Sequence, residues 1–202
     1  MSVAISPSAS PPRIGGAVSI PATSLFNESG EREMSPTIVG PAAGKAGHLG
    51  GIGVRFMAWG AETGGGFSLV EHPMAPRALA APLHRHSRED EYSYVLEGRM
   101  GADLGGEIVH AEAGDLVFKP RGEWHTFWNA GDVPCRILEI ISPAGFERYF
   151  DELVDFTEAP TADTVAPVAA KYGLEVDPAS IPALCERHGL RFPAEPLLPT
   201  HA

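Results

Sequence analysis

Short apolar runs, each bounded by turn-forming residues, follow one another between residues 53 and 142. Examples are GVRFMAWG, YSYVLEG and CRILEIIS, which are rich in β-branched and aromatic residues and are separated by Gly, Pro, Asn and Asp. Turn signals recur every 8 to 12 residues or so, roughly the spacing of antiparallel sandwiches and barrels. No helix-length periodic window interrupts the runs. The pattern therefore predicts an all-β core.

The apolar period becomes helical after Ser142. Phe146, Tyr149, Phe150 and Leu153 recur at intervals of three and four residues, which places them on one face of a helix. Val154 follows on the same face. We expect this apolar stripe to pack against the barrel or against a partner.

Two further helices are predicted near the C-terminus. One ends at Gly173 and the other at Gly189, and each glycine is followed by Leu, one further residue and an apolar residue. This pattern is typical of a glycine C-cap whose following apolar residue folds back on the helix. Asp177 is the expected N-cap of the last helix, because Pro178 follows it at a first-turn position.

Residues 1–45 are rich in Ser, Pro, Ala and Gly and show no steady apolar period. Such a composition predicts an irregular N-terminal arm, with one short candidate strand near Ala17–Ile20. The arm is either disordered or laid against a partner subunit. The chain thus divides into the arm over residues 1–45, a β-barrel over residues 46–145 and a helical extension over residues 146–202.

The chain has 202 residues and a formal net charge of -11, from 15 Lys and Arg against 26 Asp and Glu. A surface this acidic repels phosphate groups, so we expect neither nucleic-acid nor anionic-membrane binding. No apolar run approaches the roughly 20 residues that span a bilayer, and no signal peptide is apparent. The two cysteines, Cys135 and Cys185, are far apart in sequence, which favours a cytoplasmic location.

Candidate metal chemistry is concentrated in two short segments. His84 and His86 are separated by one residue, so on a strand their imidazoles point the same way. Two imidazoles on one face of a strand suit a divalent metal ion. Three acidic residues follow at 89–91, and His125 begins a later aromatic run just after a turn signal.

These segments resemble the two sequence motifs of the cupin superfamily in both spacing and residue type. The matching positions are His84, His86, Glu91 and Gly98 of the first motif, and Gly114, Pro120, Gly122, His125 and Asn129 of the second. The first motif normally opens with a glycine, where this chain has Ala78. That glycine shapes a turn and binds no metal. The resemblance implies a double-stranded antiparallel β-helix, the jelly-roll barrel of cupins.

The same resemblance implies that His84, His86, Glu91 and His125 hold one divalent transition metal ion. Glu91 is the acid at the motif spacing, because four residues separate it from His86 and six separate it from the motif glycine, Gly98. Three imidazoles and a carboxylate suit Fe, Mn, Ni, Co, Cu or Zn, and the ligand types do not choose among them.

The neighbouring acids and the single histidines have other expected roles. We expect Glu89 and Asp90 to be solvated at the turn or to pair with Arg85 or Arg88. Three isolated histidines are expected to be surface residues or hydrogen-bonded core residues: His48, His72 and His110.

Aromatic residues crowd the two motif segments, and about half of them should face the barrel interior, because strand side chains alternate. They are Tyr92, Tyr94, Phe118, Trp124, Phe127 and Trp128. An apolar pocket beside a metal favours a flat or apolar organic substrate over a phosphorylated sugar.

Two further segments are similar to the small one-domain, quercetinase-like cupins of bacteria. They are GHLGGIGVRFMAWGAET at 47–63 and GFERYFDEL at 145–153. This narrower resemblance implies a metal-dependent dioxygenase that uses O₂ and acts on an aromatic or enolic small molecule, with Glu91 as the base toward the substrate hydroxyl.

Two other classes of function stay open. A redox-neutral isomerase, lyase or cyclase would use the ion as a Lewis acid only, and a small-ligand-binding cupin would perform no catalysis. Small barrels of this type commonly pair through sheet edges, so we expect a homodimer.

Overall fold

The structure, a computed structural model, describes residues 38–154 and 161–193 of the chain. The predicted strand near Ala17–Ile20 and the N-terminal arm as far as residue 37 lie outside these described residues. All elements below belong to one compact unit, which begins at residue 39.

The strands follow the apolar runs closely. In chain order they are β1 (Ala46–Leu49), β2 (Ile52–Ala58), β3 (Ser68–Met74), β4 (Leu83–His86), β5 (Asp90–Glu97), β6 (Arg99–Leu104), β7 (Glu107–Glu112), β8 (Leu116–Lys119), β9 (His125–Asn129) and β10 (Cys135–Ser142). Three helices and one more strand come after them: α1 (Glu147–Val154), α2 (Ala162–Lys171), β11 (Leu174–Asp177) and α3 (Ser180–His188).

The strands form two antiparallel sheets. One has the order β1-β2-β3-β10-β5-β8, and the other has the order β11-β4-β9-β6-β7. Alternate side chains of both sheets meet in one buried cluster, to which Val70, Val95 and Ile137 contribute from the first sheet and Met100 and Phe127 from the second. The predicted all-β jelly-roll core is confirmed.

Helix α1 buries the apolar stripe that its sequence predicts. Phe146, Tyr149, Phe150 and Leu153 are all at most 8% exposed and join the barrel core. The Phe146 ring lies 4.3 Å from the His86 ring, so the helix reaches one of the candidate metal ligands. The stripe thus packs against the barrel.

The C-terminal segment contributes a strand as well as helices. Strand β11 pairs with β4, so that Leu174 lies opposite His86 and Val176 opposite His84. The sequence pattern did not predict this strand, because four residues between two helices carry little periodicity.

The predicted helix ends are correct, and one predicted cap is wrong. Gly173 and Gly189 have positive φ angles of 71° and 63°, as glycine C-caps require. Helix α3 begins at Ser180 with Ala179 at the N-cap position, rather than with Asp177. Asp177 is instead the last residue of β11, where it pairs with Leu83 and accepts a hydrogen bond from the Ala179 backbone N–H at 3.0 Å.

Candidate metal centre and cavity

The structure brings together the four predicted ligands from three strands. His84 and His86 lie on β4, His125 lies opposite His84 on β9, and Glu91 comes from β5 of the other sheet. All four side chains are buried, and one donor atom of each lies within 4.8 Å of the others. The cluster therefore bridges the two sheets at the point where their inward faces meet.

Hydrogen bonds orient two of the imidazoles. His84 donates from Nδ1 to the Pro82 carbonyl at 2.8 Å, and His125 donates from Nδ1 to the Glu123 carbonyl at 3.0 Å. A backbone carbonyl only accepts, so both rings must carry their proton on Nδ1 and present a lone pair on Nε2. This is the tautomer that binds a metal through Nε2.

Two buried imidazole nitrogens face the carboxylate without a hydrogen bond. His86 Nε2 and His125 Nε2 each lie 3.3 Å from a Glu91 oxygen, yet neither has an aligned partner within the described part of the chain. Burial lowers the pKa of His86 to about 4 and that of His84 well below its usual value, so both rings are neutral at pH 7. Neutral imidazoles around a carboxylate fit a divalent transition ion, so the cluster can hold one.

Sequence reasoning missed the charges that support Glu91. Lys119 on β8 lies opposite Glu91, and its Nζ lies 2.8 Å from Glu91 Oε2 and 3.0 Å from Glu139 Oε2. Burial opposes charge on Glu91, but the ammonium group of Lys119 holds its pKa well below the usual value. Lys119 thus keeps Glu91 ionised and fixes one of its oxygens.

A sequence signal for Lys119 and Glu139 does exist. Glu139 occupies the inward phase of CRILEIIS between Ile137 and Ile141, and Lys119 shares the inward phase of β8 with Val117. A charged residue in phase with core positions is costly unless it is paired, so it marks a site.

The acids before Glu91 behave differently from the expectation. Glu89 is 4% exposed rather than solvated, with Oε2 at 3.8 Å from His86 Nδ1, and burial raises its pKa to about 7. Asp90 pairs with Arg121, at 2.7 Å between Oδ2 and Nη2. The predicted pairing of these acids with Arg85 or Arg88 is wrong.

The two arginines are engaged by the C-terminal segment. Arg85 pairs with Glu175 of the unforeseen strand β11, at 2.7 Å between Nη2 and Oε2. Arg88 donates to the Lys171 carbonyl at the end of α2, at 3.4 Å. The unpredicted strand therefore explains the partner of Arg85, whereas Arg88 is engaged by the end of α2.

A cavity of about 350 Å³ opens beside the cluster. His84, His86 and Glu91 line it, together with Glu139. Its other walls are mostly apolar and come from the barrel, from the region of α1 and from the C-terminal segment. They include Phe127 of the barrel, Phe146 and Phe150 at α1, and Val176, Ile181 and Phe192 of the C-terminal segment. The C-terminal segment therefore closes one side of the candidate metal centre.

Comparison with known proteins agrees with this geometry. The profile of the cupin domain family matches residues 71–141, which span the strands from β3 to β10 and contain all four predicted ligands. Residues 71–141 of the chain thus form a cupin domain.

Two curated relatives of this cupin are polyketide synthase proteins from Streptomyces. The tetracenomycin polyketide synthase protein TcmJ of Streptomyces glaucescens is 30% identical over 110 residues, which are 54% of this chain and 58% of that protein. Polyketide synthase CurC of Streptomyces cyaneus is 37% identical over 60 residues, which are 30% of this chain and 39% of that protein. The matched part of the chain thus spans about half or less of these relatives.

A solved structure similar to this cupin is that of a predicted oxalate decarboxylase from Thermotoga maritima. It is 22% identical, with a TM-score of 0.49, and the likeness covers 53% of this chain and 99% of that chain. Among the described residues of this cupin, no helix has the length and apolar character needed to cross a membrane.

The aromatic residues of the cupin motifs face the cavity less often than expected. Of the six, Phe127 alone lines the cavity. Tyr92 and Phe118 stack on the opposite face of their strands, with ring centroids 4.8 Å apart, because they alternate with the inward Glu91 and Lys119. The other aromatic walls come from Phe146 just before α1, from Tyr149 and Phe150 of α1, and from Phe192.

The three isolated histidines differ in burial and in hydrogen bonding. His110 is exposed, and His72 is buried with Nδ1 donating to the Gly53 carbonyl at 2.9 Å, so these two match the expectation. His72 also lines the cavity. His48 does not match the expectation. It is half-buried, and its enclosed Nε2 has no hydrogen-bond partner in the described segments.

Proposed function

We propose that this cupin is a metal-dependent dioxygenase of the quercetinase-like kind that acts on an aromatic or enolic small molecule. The observation that carries the proposal is the position of the four buried donors beside an apolar, aromatic-walled cavity. The substrate and O₂ are the proposed reactants, and one divalent transition metal ion is the proposed cofactor.

The cavity lining favours an uncharged ring over a small anion. No Lys or Arg occurs among the described residues that line the cavity. Lys119 lies nearby, but its ammonium group already contacts Glu91 and Glu139. Apart from the proposed metal ion, a phosphate or a dicarboxylate would therefore meet no cationic side chain in this apolar space, which favours an apolar ring.

Different residues of the chain would deprotonate the substrate, hold the base in place and orient the ring. A bound transition ion would supply a Lewis acid that acidifies a substrate hydroxyl, and a redox-active ion would add electron transfer. We propose that Glu91 takes the hydroxyl proton, while Lys119 holds its Oε2 in place. The walls formed by Phe127, Phe146 and Phe150 would exclude water and orient the ring.

A redox-neutral reaction is the second candidate, and the two Streptomyces relatives support it. Both are named as polyketide synthase proteins. A cyclase, isomerase or lyase acting on a polyketide-like enolic compound would use the same cavity, with the ion as a Lewis acid only.

Oxygen uptake separates these reactions. The metal-loaded protein is supplied with hydroxylated aromatic and enolic compounds, and substrate loss is followed with an oxygen electrode in air and again under strict anaerobiosis. A dioxygenase consumes O₂ with the substrate and stops on chelation or without O₂. Equal turnover without O₂ in the zinc form would replace the first proposal by the redox-neutral one. Saturable binding with no turnover in either condition would leave only a small-ligand-binding cupin.

We also propose that this cupin is a homodimer. Strand β8 is an edge strand, and its outer face exposes Leu116 and Phe118, at 56% and 47%, next to Tyr94 of β5. An apolar patch on an edge strand is typical of a surface that pairs with a second copy. Sedimentation of a Phe118→Asp variant should show monomers, whereas Val133→Asp, at an exposed apolar residue outside the strands, should leave dimers. A monomeric wild-type protein would refute the proposal.

The predicted cytoplasmic location stays a proposal as well. It is supported by the two cysteines, Cys135 and Cys185, which are both free rather than joined in a disulfide.

A further inference from the structure

Glu139 has hydrogen-bonding capacity that the described residues leave unused. Its side chain is buried, and Oε2 accepts hydrogen bonds from Ser93 Oγ at 2.8 Å and from Lys119 Nζ at 3.0 Å. Its Oε1 is equally buried and has no partner among the residues that the structure describes. Buried carboxyl oxygens are rarely left without a partner, so this oxygen points to a group that a bound ligand supplies.

The location of Glu139 makes a ligand contact possible. It lines the same cavity as His84, His86 and Glu91. Its carboxyl group and that of Glu91 contact the same ammonium nitrogen, at 3.0 Å and 2.8 Å. The ammonium group of Lys119 therefore lies between the two carboxyl groups. A single substituted ring can contact both carboxyl groups across this distance.

We propose that Glu139 is the second polar contact of the cavity, and that it hydrogen-bonds a second hydroxyl group on a ring whose first oxygen lies at the metal centre. This inference rests on the proposed function and narrows its substrate class. The ligand is an apolar ring compound with two hydroxyl groups that are not on adjacent carbons. Adjacent hydroxyls would both chelate the ion and leave Glu139 without a partner.

A hydroxyl group suits Glu139 better than a carbonyl or an amine does. It donates to an ionised carboxylate and accepts from a protonated carboxyl, so it matches both states of the side chain. Burial, reinforced by the charge of Glu91, raises the pKa of Glu139 to about 7, although Lys119 acts in the opposite direction. Both states are therefore populated near neutral pH.

A pair of probes isolates the second hydroxyl. In 1,3-dihydroxynaphthalene the two hydroxyls cannot chelate one ion together, and 1-naphthol has the same ring system with only one hydroxyl. Dissociation constants are measured calorimetrically under argon for the zinc-loaded wild type, Glu139→Gln and Glu139→Leu. The Gln variant keeps a donor and an acceptor, whereas the Leu variant has neither.

We expect Glu139→Leu to weaken binding of the diol about tenfold, the effect of one lost hydrogen bond, and to change 1-naphthol less than about threefold. Glu139→Gln should keep the wild-type preference for the diol. Equal effects of Glu139→Leu on both probes, or no effect, would overturn the inference while the proposed function stands. A wild type that binds neither probe, or that binds them equally well after zinc removal, would remove the proposed function as well.

A second measurement does not depend on the folding of the Leu variant. Difference infrared spectra of the wild type should show a carboxyl band that the diol shifts and 1-naphthol does not. That band should be missing in Glu139→Gln. A diol-induced spectrum that is identical in the wild type and in Glu139→Gln would contradict the contact.

Discussion

Glu71 and Glu139 lie on neighbouring strands, β3 and β10, and both are 1% exposed, yet they belong to opposite faces of the six-stranded sheet. Glu71 lies on the outer face, where Arg55 Nε donates to Oε2 at 2.8 Å and Arg136 Nη1 donates to Oε1 at 2.8 Å. Glu139 lies on the cavity face and shares Lys119 with Glu91, and its Oε1 has no partner within the described part of the chain.

The difference lies in how far the charges are matched. On the outer face two guanidinium groups surround one carboxylate, and Arg55 is fixed further by the carbonyls of Gly40 and Ala43, both at 3.2 Å. On the cavity face one ammonium serves two carboxylates, and the buried Nε2 atoms of His86 and His125 have no partner among the described residues. A saturated cluster stabilises the sheet, whereas an unsaturated cluster is ready to bind a cation and a ligand.

The largest expected effect is on metal binding at the unsaturated side. His86→Ala removes a buried ligand from the centre, so the protein should bind Co²⁺ at least about a hundredfold more weakly than the wild type does. Visible absorption of bound Co²⁺ during a titration measures this affinity.

The matched control is His110→Ala, because His110 is an exposed histidine on β7. It should leave the Co²⁺ titration unchanged. If the two variants behave alike, the cluster of imidazoles on the cavity face is not the metal centre.

The next largest effect compares the two kinds of carboxylate in turnover. Glu91→Gln should retain at least about half of the bound metal but lose turnover by about 10²- to 10⁴-fold, as expected for loss of a general base. Glu71→Gln should lower the free energy of unfolding and leave turnover per folded molecule unchanged. Steady-state rates with parallel metal analysis measure turnover and bound metal, and denaturant unfolding measures the stability of Glu71→Gln. Normal turnover by Glu91→Gln would refute its role as the base.

Removing a cation from each cluster tests the charge comparison directly. Lys119→Met leaves Glu91 and Glu139 without their ammonium group, and Arg55→Met removes one of two guanidinium groups from Glu71. Each should cost about 3–5 kcal/mol in the metal-free protein, the usual loss when a buried ion pair is broken. Denaturant unfolding provides the measurement.

Added metal should stabilise these two variants to different extents. Added Zn²⁺ should restore much of the stability of Lys119→Met, because a cation beside Glu91 offsets the lost charge. It should stabilise Arg55→Met no more than it stabilises the wild type. Equal gains in the two variants would mean that the ion does not bind beside Glu91.

The smallest expected effect is a pH dependence of stability. Burial raises the pKa of Glu139 from 4.5 to about 7 in the folded protein, where Lys119, Glu91 and Ser93 face it. A raised folded pKa means that the folded state holds the proton more tightly. The associated stabilisation is complete below about pH 4.5 and is lost as the pH rises toward 7.

Glu139→Gln has no titrating group at this position. In metal-free protein, the free energy of unfolding of the wild type relative to this variant should therefore fall between pH 4.5 and 7. Denaturant unfolding of both proteins across that range measures the difference. A difference that rises with pH would show that Glu139 ionises more readily in the folded protein than in the unfolded one.

Much of the barrel could be predicted from the sequence, because its strands bury one face and alternate in polarity. The stripe of α1 and the helix ends at Gly173 and Gly189 were predictable for the same local reasons. Strand β11 was not, because its formation depends on pairing with β4, a contact between residues that are distant in sequence.

The residues of the candidate site were likewise predictable only in part. The four predicted ligands came from motif spacing, and the structure places them together. The roles of Lys119 and Glu139 required the register of β5 against β8 and β10, which sets which side chains meet across strands. The prediction that Glu89 is solvated was wrong. A run of three acidic residues is typical of a solvated turn, whereas the fold buries the first of them, Glu89, beside His86.

Metal analysis of protein purified without added metal tests the central claim most directly. The histidine and carboxylate cluster should retain one of Fe, Mn, Ni, Co, Cu or Zn at near one ion per chain. Mass spectrometric elemental analysis of the purified protein, with its fold checked by circular dichroism, gives this ratio. A folded protein that contains no such ion, and that binds none when each is added, would contradict the account.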